Sequence, residues 1–154
     1  MIKILFICHG NICRSPMAEF ILKDMVKKQG LENQFEIASA ATSTEEIGNP
    51  VHPGTVNKLK EYGISTEGKY AVQIRKQDYD RYDYLICMDS YNIRNMERIF
   101  GYKKDKIYKL LQFAGSEADV DDPWYTHDFN KAYEDIVKGC QGLLDYLLKS
   151  ELNN

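Results

Sequence analysis

A cysteine and an arginine, with five residues between them, lie at the point where an apolar run gives way to a helical pattern. Cys8 and Arg14 enclose this loop. The run before it, residues 2–7, predicts a buried strand, and Ser15 followed by Pro16 predicts a helix start with Ser15 as its cap. Because free backbone N–H groups and the helix dipole favour negative charge at a helix N-terminus, the loop is predicted to bind an anion.

The residue types in this loop suit a phosphate-sized oxyanion with a nucleophile directed at it. A guanidinium makes paired hydrogen bonds to two oxygens, which favours Arg14 as the anion ligand. Cys8 attacks only as a thiolate, a form that Arg14, Ser15 and the helix N-terminus are expected to favour. Gly10 permits close backbone approach, and Asn11 tolerates the left-handed conformation of a tight loop. The alternative, a structural cysteine beside an ordinary surface arginine, leaves these neighbours unexplained.

The run from Cys8 to Pro16 resembles the signature loop of the low-molecular-weight protein tyrosine phosphatases. The likeness covers nearly the whole chain through four more motifs: Ser39 to Ser43, Ile47-Gly48, Cys87-Met88-Asp89 and Asp122-Pro123. The resemblance implies an α/β fold and a phosphotyrosine-containing protein, or an aryl phosphate, as the substrate. It also implies that inorganic phosphate and other oxyanions inhibit the enzyme.

Individual roles follow from the same resemblance. It implies that Cys8 is the nucleophile and that Arg14 binds the phosphoryl group. It implies that Ser15 helps to activate the thiolate, while Asn11 holds the loop in shape with help from Ser39. Asn11 and Ser15 are also expected to bind substrate, together with the other residues of the loop: His9, Gly10, Ile12 and Cys13.

A general acid is expected on the long irregular stretch 111–128, since long loops in compact domains are usually functional or disordered. This stretch holds three aspartates before a Pro-Trp-Tyr run. By composition alone, a solvated acidic loop is the commoner interpretation. The resemblance reverses it, because the family carries its acid in an Asp-Pro pair followed by two aromatics, which identifies Asp122. Trp124 and Tyr125 are expected to form a wall for the substrate ring.

Residues near the entrance of the site bear on specificity. Ile12 is expected to face the entrance and pack on an aromatic ring, whereas related arginine-phosphate phosphatases tend to carry a smaller polar residue there. The family often has an aromatic where this chain has Glu45, so an acidic wall is predicted to favour basic peptides or weaken acidic ones. His9 either perturbs the thiolate or points away from it, and the sequence leaves both possibilities open.

Two more positions matter for the loop. In the family a histidine often supports the loop asparagine, and it is replaced near Lys69, so a different support is expected here. Cys13 has two interpretations. It either packs beneath the loop or, as in the family, acts as a resolving cysteine that forms a disulfide with oxidised Cys8.

Strand and helix patterns alternate along the 154 residues, which predicts one α/β domain, residues 1–154. The expected architecture is a central four-stranded parallel sheet with helices on both faces and the phosphate-binding loop after the first strand. Further strands are predicted at 35–38, 84–88 and 107–111. Helices are predicted from residue 15, before Gly63, between a cap at Asp89 and Gly101, and over 129–147.

Composition argues against several functional classes. The net charge of −3 and the pI of about 5.6 disfavour nucleic acid or an anionic membrane as a partner. No apolar run approaches the roughly 20 residues that span a bilayer, and the chain does not begin with a signal-peptide pattern. The cysteines and histidines match no zinc or disulfide-dense spacing. We therefore expect a cytoplasmic protein without a metal or cofactor.

Three other functions explain the loop less well. An arsenate reductase on the same fold needs two more cysteines close together downstream, whereas Cys87 and Cys140 are far apart in sequence and lie on apolar core patterns. A phosphocarrier of sugar transport, which holds phosphate on a cysteine, would have little use for Arg14 and Asp122. A catalytically silent phosphate-binding module would keep Arg14 but would not need a reactive Cys8.

Overall fold

Strands and helices alternate along the chain, as the sequence pattern predicts. The computed structural model describes residues 1–101 and 105–152. The strands are Ile2–Cys8 (β1), Phe35–Ala41 (β2), Tyr84–Cys87 (β3) and Ile107–Lys109 (β4). The α-helices are Arg14–Lys28 (α1), Pro53–Lys60 (α2), Asp78–Arg81 (α3), Ser90–Phe100 (α4), Pro123–Thr126 (α5) and Phe129–Leu147 (α6). Short 3₁₀ turns cover Glu32–Gln34 and Leu110–Ala114, and a π-helical turn covers Leu148–Leu152.

The four strands form one parallel sheet in the order β2-β1-β3-β4. After β1 the chain adds β2 next to one edge of β1 and then β3 next to its other edge, so the strand order reverses at β1. In parallel sheets, ligands bind beyond the carboxyl ends of the strands at such a reversal. The loop after β1 lies at this position, which agrees with the prediction that it binds an anion.

Helices cover both faces of the sheet. Ile4 and Phe6 of β1 join a core cluster with buried residues of α1 and α6. The alternate residues Leu5 and Ile7 join a second cluster with Met96 of α4 and with α3. Since successive side chains of a strand point to opposite faces, the continuous apolar run of β1 reflects burial on both sides. The predicted α/β architecture is confirmed.

Several local predictions are confirmed. Asp89 caps α4, since its Oδ1 accepts a hydrogen bond from the Asn92 backbone N–H at 2.7 Å. Gly101 ends the same helix with a positive φ of 78°. The apolar stripe over 129–147 coincides with α6, and the thiols of Cys87 and Cys140 are buried in the core.

Two local predictions are wrong. The fourth strand ends at Lys109 rather than at residue 111, because the chain tightens there into a 3₁₀ turn. Ser15 is not a helix cap, since α1 already begins at Arg14 and Cys13 occupies the cap position without a side-chain hydrogen bond. The Ser15 hydroxyl is instead turned towards Cys8, as described below. Within the described residues, no helix combines the length and the apolar character needed to cross a bilayer.

Candidate active site

The loop after β1 directs hydrogen-bond donors at the sulfur of Cys8. The backbone N–H of Asn11 donates to Cys8 Sγ at 3.3 Å, and Ser15 Oγ lies 2.9 Å from the same sulfur. Asn11 adopts the left-handed conformation that the sequence predicts, with φ of 60°. These contacts favour negative charge on the buried sulfur, because backbone and hydroxyl hydrogens are directed at it.

A hydrogen-bond chain beneath the loop sets the direction of the Ser15 hydroxyl. Asn11 Nδ2 donates to Ser15 Oγ at 2.7 Å and to Ser39 Oγ at 2.9 Å. Ser39 Oγ in turn donates to Glu19 Oε1 at 2.5 Å. A hydroxyl has a single hydrogen to donate. Since Ser15 accepts from Asn11, its own hydrogen remains available for Cys8.

Glu19 and Lys69 complete this chain, which we call the support network: Asn11, Ser15, Ser39, Glu19 and Lys69. Lys69 Nζ donates to the Ser39 carbonyl oxygen at 2.9 Å and lies 3.8 Å from Glu19 Oε1. Burial lowers the pKa of Lys69, although the charge of Glu19 opposes the shift. Sequence reasoning missed Glu19. The available signal was a carboxylate surrounded by apolar positions on the first helix.

Arg14 is buried with its guanidinium fixed by acceptors on distant segments. Its Nη1 donates to Asp89 Oδ2 at 2.6 Å and to the Val120 carbonyl at 2.8 Å, and its Nη2 lies 3.4 Å from Asp122 Oδ2. Burial opposes the charged guanidinium, but Cys8, Asp89 and Asp122 outweigh it and raise the pKa of Arg14. Both Nη1 hydrogens are used, so the Nε and Nη2 hydrogens are left for an oxyanion.

Asp89 has a second function that sequence reasoning did not assign. We predicted a helix cap rather than a catalytic group, and the cap is confirmed. Its Oδ2, however, holds Arg14 at 2.6 Å. The available signal was position, because Asp89 follows the carboxyl end of β3, next to the end of β1 in the sheet.

Asp122 and Cys8 line the same cleft, which has a volume of about 100 Å³. Its Oδ1 accepts a hydrogen bond from the Trp124 backbone N–H at 3.0 Å and so caps the short helix α5. The cleft is lined by Cys8, His9, Gly10, Ile12, Cys13, Arg14, Glu45, Glu46, Asp122, Trp124 and Tyr125. Glu46 is an addition to the predicted residues, whereas Asn11, Ser15 and Ser39 lie beneath the cleft in the support network.

The cleft wall combines buried and exposed apolar groups. Ile12 is buried in a cluster with Ala71 and Phe129 and also lines the cleft, so its expected packing on a substrate ring stays a prediction. Trp124 is exposed and meets the edge of the His52 ring at 5.7 Å between centroids. His52 also stacks on Phe129 at 5.2 Å. It therefore supports the wall, a role that sequence reasoning did not assign.

At the rim of the cleft, His9 of the loop after β1 contacts Glu45 of the segment after β2. Its Nε2 lies 2.9 Å from Glu45 Oε2, and both side chains are exposed. The His9 ring is therefore directed towards the carboxylate of Glu45.

Cys13 lies in the floor of the cleft as a free, buried thiol. Burial is the main cause that raises the pKa of Cys13 to about 12, and the negative charge of Cys8 is the second. It is therefore a thiol near neutral pH, and it packs with Ile12 and Ala71. A resolving function for Cys13 stays a prediction. The described part of the chain contains no group of three or more His, Cys, Asp or Glu side chains arranged to hold a metal ion.

Comparisons with known proteins agree with this geometry. A model of the family described as low molecular weight phosphotyrosine protein phosphatase matches residues 3–153. The low molecular weight protein-tyrosine-phosphatase YfkJ of Bacillus subtilis is 43% identical, covering 98% of this chain and 99% of the relative. Its crystal structure superposes with a TM-score of 0.95 over 98% of this chain and 97% of that one.

Two further structures are similar. SP-PTP, a low molecular weight protein tyrosine phosphatase from Streptococcus pyogenes, is 42% identical with a TM-score of 0.88, covering 99% of this chain and 97% of its own. The drosophila arginine phosphatase DARP is 31% identical with a TM-score of 0.86, covering 97% of this chain and 99% of its own.

Proposed function

The chain belongs to the low molecular weight phosphotyrosine protein phosphatase family, and we propose that it hydrolyses phosphotyrosine with Cys8, Arg14 and Asp122 as its catalytic residues. It is a hydrolase that acts on a phosphoprotein through a phosphocysteine intermediate. One observation carries the assignment of residues. The Cys8 sulfur, with donors from Asn11 and Ser15 directed at it, shares one small cleft with the Arg14 guanidinium and the Asp122 carboxyl group.

In the first step, the Cys8 thiolate attacks phosphorus and the bond from phosphorus to the tyrosine oxygen breaks. Asp122, in its acid form, gives its proton to the departing phenolate. Arg14 holds the equatorial oxygens with its Nε and Nη2 hydrogens, since Asp89 and Val120 fix its Nη1. The products are the free tyrosine side chain and the phosphocysteine.

In the second step, the Asp122 carboxylate takes a proton from water while the water oxygen attacks phosphorus. The sulfur–phosphorus bond breaks, inorganic phosphate forms and the Cys8 thiolate is restored. Hydrogen bonds from the Asn11 N–H and the Ser15 hydroxyl stabilise the leaving thiolate. The same two donors therefore serve both steps, once for a nucleophile and once for a leaving group.

The proposed preference for phosphotyrosine follows from the depth of the cleft. Cys8 is buried at its floor, with Ile12 and Trp124 in its walls. A phenyl ring spans the wall and packs on these side chains, whereas the shorter phosphoserine leaves the apolar wall uncovered.

Other parts of the proposal concern inhibitors, partners, location and extent. Inorganic phosphate and related oxyanions are proposed to bind the same donors and inhibit. The net charge of −3 supports the proposal that nucleic acid is not a partner. A cytoplasmic location is proposed because Cys8 must remain reduced. A single catalytic domain over residues 1–154 is proposed, and the family match over 3–153 supports it.

Phosphate release from three substrates tests this function. A phosphotyrosine peptide, a phosphoserine peptide and phosphoarginine are incubated at mildly acidic pH with the wild type, Cys8→Ser and Cys140→Ala. We expect rapid turnover of the phosphotyrosine peptide only, lost in Cys8→Ser and retained in Cys140→Ala, which removes a core thiol that does not line the cleft. Faster turnover of phosphoarginine than of the phosphotyrosine peptide would instead indicate an arginine phosphatase, the activity that the name of DARP gives. No turnover of any substrate would contradict the proposal.

A further inference from the structure

The segment that carries Asp122 is held by contacts outside itself. Between Gly115 and Asp122 the described chain has no helix or strand. Val120 anchors it, since its side chain is fully buried and its N–H donates to the Met88 carbonyl at 2.9 Å. Its own carbonyl accepts from Arg14 at 2.8 Å. The position of Asp122 therefore depends on how the residue directly before Val120 is held.

Asp119, directly before Val120, is bound by two elements of the fold. Its Oδ1 accepts hydrogen bonds from the backbone N–H of Ser90 at 3.1 Å and from its hydroxyl at 3.3 Å. Lys109 Nζ donates to the same oxygen at 2.8 Å. Lys109 Nζ also donates to Ser90 Oγ at 3.1 Å and to the Glu117 carbonyl at 2.7 Å. We call Lys109, Asp119 and Ser90 the clamp.

The clamp is better defined than an ordinary surface ion pair. The side chain of Lys109 is only 14% exposed, although that of Asp119 is 43% exposed. Partial burial opposes the charge of Asp119, but the hydrogen bonds and charge of Lys109, with the Ser90 contacts, outweigh it and lower the pKa of Asp119. Three donors on one carboxylate oxygen restrict its position more than a single exposed pair does.

The clamp completes a closed ring of contacts that includes Arg14. Ser90 directly follows Asp89, whose carboxylate accepts a hydrogen bond from Arg14. Arg14 also donates to the carbonyl of Val120, the residue directly after Asp119. The Ser90–Asp119 bond links the two ends of this path. Arg14 is also fixed by Asp89 at 2.6 Å, so a shift of Asp119 is expected to act mainly on the start of the segment that ends at Asp122.

We propose that the clamp of Lys109, Asp119 and Ser90 is a positioning device for the general acid, so that Lys109 and Asp119 act on the reaction through Asp122. This inference rests on the proposed function, in which Asp122 protonates the leaving phenolate. A displaced acid harms substrates with a basic leaving group, which need the proton. It hardly harms a substrate whose leaving group departs without one.

The experiment compares kcat/KM, which reports formation of the phosphocysteine, for phenyl phosphate and 4-nitrophenyl phosphate. The variants are Asp119→Ala and Lys109→Met, with Lys109→Arg as the conservative replacement. Glu117→Ala is the matched control, because it removes a carboxylate from the same segment while Lys109 uses only the Glu117 backbone carbonyl. Asp122→Asn provides the reference for loss of the acid. Thermal unfolding of each variant establishes that it is folded.

We expect Asp119→Ala and Lys109→Met to lower kcat/KM for phenyl phosphate by about tenfold, within the roughly 10²-fold range of a 1 Å misplacement. For 4-nitrophenyl phosphate the expected loss is less than about threefold, because the nitrophenolate needs little proton transfer. Lys109→Arg should recover most of the activity, and Glu117→Ala should match the wild type. Two clamp variants are used so that the test survives if one of them does not fold.

Equal losses for the two substrates, or no loss in a folded clamp variant, would overturn the positioning role. If Asp122→Asn still shows the selective loss, the proposed function stands and only the clamp fails. If Asp122→Asn shows no dependence on the leaving group, the acid assignment itself fails, and the clamp inference fails with it.

Discussion

The floor and the rim of the cleft differ in how their polar groups are satisfied. Beneath the floor, Asn11 and Ser15 of the support network are 1% and 0% exposed and bond to other protein groups. At the rim, the side chains of His9 and Glu45 are 47% and 68% exposed. Removing a partner from a buried group leaves an unsatisfied neighbour, whereas water replaces a lost contact at an exposed one. We therefore expect substitutions in the floor to affect catalysis and substitutions at the rim to affect substrate preference.

The largest effect is expected from Arg14→Lys in the floor. A lysine ammonium cannot reproduce the planar fork that bonds to Asp89 and Val120 and leaves further donors for the phosphoryl oxygens. We expect kcat for a phosphotyrosine peptide to fall by roughly 10²–10³-fold, as when a preorganised transition-state donor is removed.

Steady-state kinetics, with the inhibition constant of inorganic phosphate, measure this change. Arg81→Lys is the matched control, since Arg81 forms an exposed pair with Glu36 outside the cleft. An Arg14→Lys enzyme with wild-type kcat would show that the floor tolerates substitution like the rim, and the comparison would fail.

The second prediction compares two lysines on the same carboxylate. Lys69 is partly buried, with 12% of its side chain exposed, and it bonds to the Ser39 carbonyl and approaches Glu19. Lys23, with 44% of its side chain exposed, bonds to the same carboxylate from the surface. We expect Lys69→Met to lower the free energy of unfolding by about 1–3 kcal/mol, because it leaves buried acceptors without a donor. Lys23→Met is expected to cost about 0–1 kcal/mol, as exposed pairs do. Denaturant unfolding measures both values, and equal costs would contradict the distinction.

The pH dependence sharpens this test. Burial lowers the pKa of Lys69 in the folded state below its ordinary value of 10.5. Between the folded and the unfolded pKa values the unfolded chain binds more protons, so the contribution of Lys69 to stability rises with pH in that window. The stability difference between wild type and Lys69→Met should therefore widen as pH approaches 10.5. A difference that narrows with pH would show that the ammonium is favoured, not penalised, at this site.

The smallest effect is expected at the rim, from Glu45→Gln. Glu45 is exposed and pairs with His9, so its charge acts on substrate through water. We expect the wild type to prefer phosphotyrosine peptides with flanking lysines over flanking glutamates by about two- to fivefold, within the range of exposed charge pairs. Glu45→Gln should reduce this ratio.

Rates for the two peptides at low and high salt measure the rim effect, which should weaken as salt screens it. Glu67→Gln, at an exposed position that does not line the cleft, is the matched control. A preference that persists unchanged in Glu45→Gln would place charge recognition elsewhere.

Much of this molecule was predictable because the decisive signals are local. The apolar run of β1, the left-handed Asn11 and the apolar stripe of α6 each follow from neighbouring residues. The cap at Asp89 is equally local. The family resemblance added the prediction of a general acid at Asp122, a residue that composition alone would have assigned to a solvated loop. The Ser15 cap failed because a tertiary partner, Cys8, engages the hydroxyl that a local rule assigned to the helix.

The sequence by itself determined the α/β order of elements, the anion-binding loop and the residues suited to phosphoryl transfer. Tertiary structure alone decided how they are supported. Asp89 reaches Arg14 from 75 positions away, and Lys69 meets the Ser39 carbonyl from 30 positions away. The physical reason is that a parallel sheet gathers the ends of separate strands at one edge. Many of the acceptors gathered there, such as the carbonyl of Val120, are backbone atoms that every residue carries and no sequence pattern marks.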